Sequence, residues 1–297
     1  MVDSDTTRQP TGLELYSKAA QKSAREIIYS YSTSFGLATR LIEPKVRRHI
    51  ESIYAMVRVA DEVVDGSASE AATTSPELNP AKEIADFETE CYKAMELGYS
   101  TNLVLHAFGT TAREVGIKKD IVKPFFDSMK MDLSDTVHDE QSFKKYVYGS
   151  AEVVGLMCLR AFIHDKDYNE DEQQILNEGA LALGSAFQKV NFLRDLSADF
   201  IKLGRSYFPG VNVSNFDEAT KQRLVRDIDS ELDKARNAIP LLPKSAARAV
   251  KAACELFASL NKKISNTDAA ELISTRISVA NGKKLMILAS SYLGAGR

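Results

Sequence analysis

Apolar residues recur at spacings of three and four along most of the chain, which places them on one face of an α-helix. Ile50, Ile53 and Val57 form such a face in the segment 47–66, where the helical pattern stops at a glycine. The alternation of apolar and polar residues that marks a β-strand does not extend over a convincing length anywhere. The helical period also runs from Leu13 to Phe35 and returns in the segments 81–98, 101–116, 119–135, 141–164, 170–203, 217–238, 245–265 and 281–293.

This pattern predicts a single all-α domain over residues 13–297, with roughly eight to ten helices. Residues 1–12 are mostly polar, and we interpret them as a flexible N-terminal tail. The segment 67–80 is rich in Ser, Ala, Thr and Pro, which predicts a surface loop between two helices. The 297 residues include only 15 glycines and 8 prolines, and so few helix breakers favour helices over many short strands.

Composition and charge narrow the class of protein. The net charge is −3, whereas a dedicated nucleic-acid binder is normally basic, so no nucleic-acid partner is expected. The three cysteines are widely spaced, which argues against disulfides and favours a reducing compartment. No signal peptide is visible, and the longest apolar runs are shorter than the roughly 20 residues that span a bilayer. We therefore expect a cytoplasmic protein, with at most a peripheral contact at the inner face of the membrane.

Two acidic ridges stand out within the predicted helices. Asp61 and Asp65 are four residues apart, and Asn191, Asp195 and Asp199 follow each other at the same interval. Residues four apart project from one helix face, and their neighbours here are apolar, so both ridges are expected to face inward. A solvated helix face would explain one such motif. Two in one all-helical chain favour a functional site.

The ridges predict a magnesium site, with manganese as the alternative ion. Carboxylate and amide oxygens without His or Cys suit these hard cations, which also bind the oxygens of a substrate diphosphate. Metal binding would make the diphosphate a better leaving group. Arg58 and Arg194 accompany the ridges and are candidates to bind phosphate oxygens.

Other motifs that carry chemistry are absent from the sequence. There is no G-x-G-x-x-G or P-loop, so no nucleotide-binding fold is indicated, and Ser34 does not lie in a hydrolase-type G-x-S-x-G. The four histidines are scattered along the chain without metal-ligand spacing, which predicts surface or structural roles. They are His49, His106, His138 and His164.

The order and wording of these motifs resemble the squalene/phytoene synthase family of head-to-head prenyl transferases. The resemblance covers the chain from about residue 32 to residue 284. The matching segments are STSF (32–35), IYAMVRVADEVVDG (53–66), MKMDL (129–133), YVYGSAEVVGLM (146–157), LGSAFQKVNFLRDLSADF (183–200) and GRSYFP (204–209).

The resemblance implies an isoprenoid synthase fold, in which antiparallel helices surround a deep central cavity. It also implies a reaction in two halves. One allylic diphosphate ionises and its cation is attacked by the double bond of a second molecule, after which proton loss closes a cyclopropylcarbinyl diphosphate. That intermediate then ionises, rearranges and is quenched.

The resemblance further implies roles for single residues. Tyr146 would assist the proton transfer that closes the cyclopropane ring. The expected metal ligands are Asp61, Asp65, Asn191, Asp195 and Asp199. The residues expected to bind substrate are Ser32, Ser34, Phe35, Tyr54, Arg58, Asp132, Gln188, Arg194, Arg205, Tyr207 and Arg276. Phe257 and Ala280 depart from the residues common in the family, which weakens the role given to Arg276.

Within the family, the glycine that ends DEVVDG favours a phytoene synthase, which joins two geranylgeranyl diphosphates without NADPH. The alternative is a squalene or dehydrosqualene synthase that uses farnesyl diphosphate. An alternative of another class is a non-catalytic relative that serves in assembly. Such a relative would be expected to lose ridge carboxylates, which this sequence retains. Oligomeric state is not predicted.

Overall fold

All regular secondary structure in the described part of the chain is helical, which confirms the predicted all-α class. The computed structural model describes residues 8–134, 137–198, 207–211, 215–274, 277–278 and 287. The described helical segments include a π-helical turn (Tyr148–Glu152) and a 3₁₀ turn (Ile239–Leu241). The helices are α1 (Gly12–Tyr31), α2 (Thr33–Thr39), α3 (Pro44–Asp65), α4 (Ser67–Ala72), α5 (Pro80–Leu97), α6 (Leu103–Val115), α7 (Lys119–Met131), α8 (Glu140–Val147), α9 (Val153–Ile163), α10 (Glu170–Ala198), α11 (Glu218–Ala238), α12 (Lys244–Ser265) and α13 (Ala269–Leu272).

Single polar side chains decide where several helices begin. The hydroxyl of Thr11 accepts the N–H of Glu14, and the Glu14 carboxylate accepts the N–H of Thr11, so α1 begins at Gly12. Asn79 and Asn102 cap α5 and α6 with their side-chain oxygens. Apolar periodicity therefore locates these helices, while the caps set their ends to within one or two residues.

Two segments differ from the sequence prediction. The predicted loop 67–80 contains the short helix Ser67–Ala72, because its first part is made of helix-compatible Ala, Ser and Glu. The helical pattern from Leu13 to Phe35 is interrupted at Ser32, whose backbone is extended and whose hydroxyl accepts the N–H of Phe35. This cap starts a second helix in a new direction. The predicted helix 281–293 lies outside the described residues, apart from residue 287.

Two hydrophobic clusters fill the interior. The first lies among α3, α5, α6, α7 and α9 and includes the fully buried Phe108 and Phe125. The second lies among α8 and α10 to α13 and includes Leu193 and Ile228. Helices α3, α9 and α10 carry apolar residues of these clusters on one side and line an open cavity on another.

The helical run Glu140–Ile163 is long and apolar enough, by length and composition, to cross a bilayer. This differs from the sequence expectation, which considered only uninterrupted apolar stretches. Of the most apolar part of this run, 56% is buried inside the protein. A buried core helix of a soluble protein meets the same criteria of length and composition. The run is therefore weak evidence for a membrane span.

Glycines allow the helices around the cavity to approach closely. A Cβ on Gly184 of α10 would lie 2.5 Å from the carbonyl oxygen of Ala151 in the π-helical turn. A Cβ on Gly149, in the same turn, would collide with the carbonyl oxygen of Pro124 in α7. Backbone atoms of three elements thus meet at these positions, and larger residues would force them apart.

We predict that Gly184→Ala lowers the free energy of unfolding by about 1–3 kcal/mol, since the added methyl group meets backbone that cannot rotate away. Gly12→Ala is the matched control, because nothing lies within 4 Å of a Cβ there. It should leave stability unchanged or slightly increased. Urea unfolding of both variants measures the difference. Equal stability of Gly184→Ala and the wild type would contradict the packing argument.

Candidate active site

A cavity of about 490 Å³ runs between α3, α9 and α10. Its lining extends from Ile50 to Asp65 along α3 and from Leu176 to Asp195 along α10. At a rise of 1.5 Å per residue these segments correspond to about 22 Å and about 28 Å, so the cavity is elongated. The lining is apolar near the beginning of both segments and polar near their ends. One cavity thus combines an apolar region with a charged region.

The charged end of α3 holds Arg58, Asp61 and Asp65, which all line the cavity. Arg58 Nη1 lies 3.0 Å from Asp61 Oδ2 and 3.7 Å from Glu62 Oε1. A third of the Asp61 side chain is accessible, because it faces the cavity, although the carboxyl lies deep in the protein. Burial raises the pKa of Asp61 to about 6, against the attraction of Arg58 and with a further contribution from Asp65. The charged carboxylate is therefore costly in this position.

The facing ridge on α10 contributes Asn191, Arg194 and Asp195 to the same cavity. Arg194 Nε donates to Asp195 Oδ1 at 3.2 Å and to Asp195 Oδ2 at 3.1 Å. Asn191 Oδ1 is buried and has no hydrogen-bond partner among the described residues. An unsatisfied amide oxygen of this kind is available to a cation or a donor that enters the cavity. The third member of the predicted ridge, Asp199, lies outside the described residues.

Tyr146 lies near residues of both ridges. Its buried hydroxyl donates to Asp132 Oδ1 at 2.8 Å and Oδ2 at 3.0 Å. Burial, followed by the charge of Asp132, raises the pKa of Tyr146 well above its usual value, and Asp65 acts in the same direction. The ring lies 6.1 Å from that of Phe192, the residue after Asn191. Tyr146 thus presents a neutral hydroxyl at the charged end of the cavity.

Asp132 was expected to line the cavity, but it is not among the lining residues; it accepts a hydrogen bond from Tyr146, which is. Tyr207 lines the cavity, and its ring stacks on Phe192 with centroids 4.1 Å apart. His138, which the sequence suggested to be structural or on the surface, is buried against the rings of Tyr146 and Tyr207.

Aromatic rings cover another part of the lining. The ring of Phe35 lies 6.3 Å from that of Tyr54 and 6.0 Å from that of Phe187, and all three residues line the cavity. Ser32 reaches the site indirectly, because it caps the short helix that carries Phe35. Phe257, one of the departures from the family pattern, stacks on Phe187 with centroids 3.7 Å apart.

The remaining predicted residues divide into two groups. Gln188 lines the cavity beside the second ridge. Arg205 and Arg276 lie outside the described residues, and the side chain of Ser34 is likewise not described. Four of the five predicted metal ligands and six of the eleven predicted substrate-binding residues line this cavity, whereas Ser32 and Asp132 do not. The predicted residues that line it are Phe35, Tyr54, Arg58, Asp61, Asp65, Tyr146, Gln188, Asn191, Arg194, Asp195 and Tyr207.

Sequence reasoning missed Ser150, whose side chain also belongs to the lining. Its hydroxyl is buried and has no hydrogen-bond partner among the described residues. Its position four residues after Tyr146 could have indicated that the two residues share a helix face. The π-helical turn at Tyr148–Glu152, however, alters the helical register there. A polar atom in this position can contact a ligand inside the cavity.

Known proteins resemble this chain in sequence and in fold. Residues 28–283 match the model of the squalene/phytoene synthase family. A phytoene synthase from Pseudescherichia vulneris is 30% identical over 191 residues, which are 63% of this chain and 58% of that protein. A 15-cis-phytoene synthase from Enterobacter agglomerans is 26% identical over 282 residues, 88% of this chain and 90% of that protein.

Solved structures support the fold. The crystal structure of a dehydrosqualene synthase in complex with a ligand superimposes with a TM-score of 0.75 at 18% identity, covering 95% of this chain and 99% of that one. The sequence of this chain spans less than two thirds of the length of several curated relatives that it matches. For a bifunctional lycopene cyclase/phytoene synthase from Blakeslea trispora, the share is 43%. The helices and their central cavity define an isoprenoid synthase fold. The chain belongs to the squalene/phytoene synthase family.

The raised pKa of Asp61 generates a prediction about stability. In the folded protein this pKa is about 6, above the ordinary value of 3.8 for an aspartate, so ionisation of the carboxyl lowers the stability of the folded protein as the pH rises through that interval. Asp61→Asn should therefore make the metal-free protein more stable at pH 8, by about 1–2 kcal/mol after allowance for solvent screening. The advantage should disappear below pH 4.

Denaturant unfolding in the presence of EDTA at pH 4 and pH 8 measures this difference. Asp86→Asn is the control, because Asp86 is exposed and also forms an ion pair with a cation of its own helix, Lys82. It should show little change at either pH. A destabilised Asp61→Asn at pH 8 would mean that the Arg58 ion pair outweighs the cost of burial.

Proposed function

We propose that the protein is a phytoene synthase, which condenses two geranylgeranyl diphosphates through a cyclopropylcarbinyl diphosphate and releases two diphosphates. The observation that carries the proposal is the polarity of the elongated cavity between α3, α9 and α10. Its charged end suits diphosphates, and its apolar end suits prenyl chains. The curated relatives named as phytoene synthases favour this reaction within the family.

The charged end fits magnesium by the chemistry of its donors. Asp61, Asp65, Asn191 and Asp195 offer only oxygen ligands, and the buried Asn191 Oδ1 lacks a protein partner in the described structure. These residues, with the predicted Asp199, would hold the ion. Bound magnesium would neutralise negative charge on the diphosphate and so improve it as a leaving group. Manganese could serve in the same site.

The residues of the chain account for the remaining requirements of the reaction. Arg58 and Arg194 can turn from their neighbouring carboxylates to phosphate oxygens, which they bind bidentately. The rings of Phe35 and Phe187 offer π-faces that stabilise a carbocation where water is excluded. The hydroxyl of Tyr146, oriented by Asp132, is in position to take part in the proton transfer that closes the cyclopropane ring.

A squalene or dehydrosqualene synthase that uses farnesyl diphosphate is the second candidate. The superposition with a dehydrosqualene synthase favours it, since that enzyme has the same fold. The two candidates share the charged end and differ in the length of prenyl chain that the apolar end accepts. Peripheral membrane contact, which a water-insoluble product favours, remains part of the proposal.

We predict that the purified protein with magnesium converts geranylgeranyl diphosphate to a forty-carbon hydrocarbon, and that NADPH does not alter the yield. Farnesyl diphosphate is offered separately as the matched substrate, and lipid extracts are analysed by mass. A thirty-carbon product in preference would support the second candidate. No product from either substrate, with the helical fold intact, would support a non-catalytic relative.

A second prediction concerns Tyr146→Phe, which removes the hydroxyl but keeps the ring. We expect the rate of product formation to fall about a hundredfold or more, the usual contribution of a positioned proton-transfer group. Tyr148→Phe is the control, because Tyr148 is two residues away and exposed. Steady-state rates and circular dichroism of both variants give the answer. An unchanged rate for Tyr146→Phe would exclude the proposed role.

A further inference from the structure

Two histidines that are far apart in the sequence meet a glutamate in space, outside the cavity. His49 lies in α3, Glu114 in the last turn of α6, and His164 directly after α9. One ligand atom from each lies within 4.8 Å of the other two, and His49 Nε2 is 3.6 Å from Glu114 Oε1. Two ligands of a tetrahedral zinc ion are about 3.4 Å apart, given bonds of about 2.1 Å. Small side-chain rotations would therefore bring all three onto one ion.

Both imidazoles are oriented as metal ligands usually are. His164 Nδ1 lies 3.1 Å from the carbonyl oxygen of Ala161, which can only accept, so the proton is on Nδ1 and the lone pair is on Nε2. His49 Nδ1 lies 3.2 Å from Thr111 Oγ1, a contact that holds the ring with Nε2 toward Glu114. A hydrogen bond from the second ring nitrogen is the common support of a metal-bound histidine.

The surroundings of Glu114 leave its carboxylate accessible to a cation. Glu114 is also paired with Arg48, which competes for the carboxylate. Both of these side chains are nearly half exposed, so their ion pair contributes little, and Arg48 can turn to solvent.

We propose that His49, Glu114 and His164 form a second metal site, which binds one zinc ion with water as the fourth ligand. Two imidazoles and a carboxylate prefer zinc to magnesium, whereas the oxygen ligands in the cavity prefer magnesium. The three residues do not line the cavity, so this site is distinct from the proposed magnesium site. The ion would join three helices.

The site would brace the apolar end of the cavity. Ile50, which follows His49, and Phe162, two residues before His164, both line that end. A ligand that binds only the folded chain stabilises it, and here it would do so by joining α3, α6 and the end of α9. The inference is independent of which prenyl chain the cavity accepts.

The test uses tag-free protein with saturating magnesium, which occupies the carboxylate ligands in the cavity. Zinc is added, excess is removed by gel filtration, and bound metal and melting temperature are measured. We expect about one zinc per chain and a higher melting temperature. His164→Ala and Glu114→Gln alter exposed side chains and should each weaken zinc affinity by at least tenfold.

Glu178→Gln is the control for a lost surface carboxylate, because Glu178 is exposed on α10 and should leave zinc binding unchanged. Competition from thiols is small: Cys91 and Cys254 are buried, and burial raises the pKa of Cys158 to about 12. Absence of bound zinc in the wild type, or full retention by both His164→Ala and Glu114→Gln, would overturn the proposal.

Discussion

Negative charge held at one end of an apolar cavity is the constraint on which the rest of this structure depends. Asp61 and Asp65 lie on one helix and Asp195 on another, and all three line the same space. Carboxylates in such surroundings lose hydration and repel each other, and the raised pKa of Asp61 is the direct sign of that cost. Two arginines offset part of it through contacts with adjacent carboxylates. The buried, unpartnered Asn191 oxygen is consistent with a cation supplying the remainder.

Close packing around the cavity keeps these groups in place. Gly184 lets α10 approach the π-helical turn, and Gly149 lets that turn approach α7, so rigid backbone surrounds the space. The same turn carries Ser150 into the lining, while Tyr146, just before it, reaches Asp132. A protein that held charged and reactive groups on mobile loops would lose the alignment that the reaction needs. Closely packed backbone around the cavity thus holds the acidic end in place.

Sequence reasoning worked where the signal was local. Apolar periodicity located the helices, and the four-residue spacing of Asp61 and Asp65 placed them on one face that does line a cavity. It failed at Ser32, where a single side chain changes the local structure. It also failed in the predicted loop 67–80, where a short helix-compatible sequence lies among loop residues. Contacts between distant segments gave no spacing signal: the hydrogen bond from Tyr146 to Asp132 depends on the packing of α7 against the following helices. The meeting of His49 with His164 depends on tertiary structure in the same way, so scattered histidines could not be recognised as neighbours.

The two ends of the cavity bear on two separate questions: the class of reaction and the length of the prenyl chain. In the proposed reaction the charged end would determine the class of reaction, because ionisation of a diphosphate needs the same groups whatever chain is attached. The apolar end would determine the length of the chain, through lining residues such as Ile50 and Phe162. Discrimination between prenyl chains would then rest on the volume and closure of that end, where each added methylene contributes about 0.8 kcal/mol if it can be buried. Small changes in apolar side chains can thus alter the product, whereas the arrangement of aspartates, arginines and Tyr146 would stay the same.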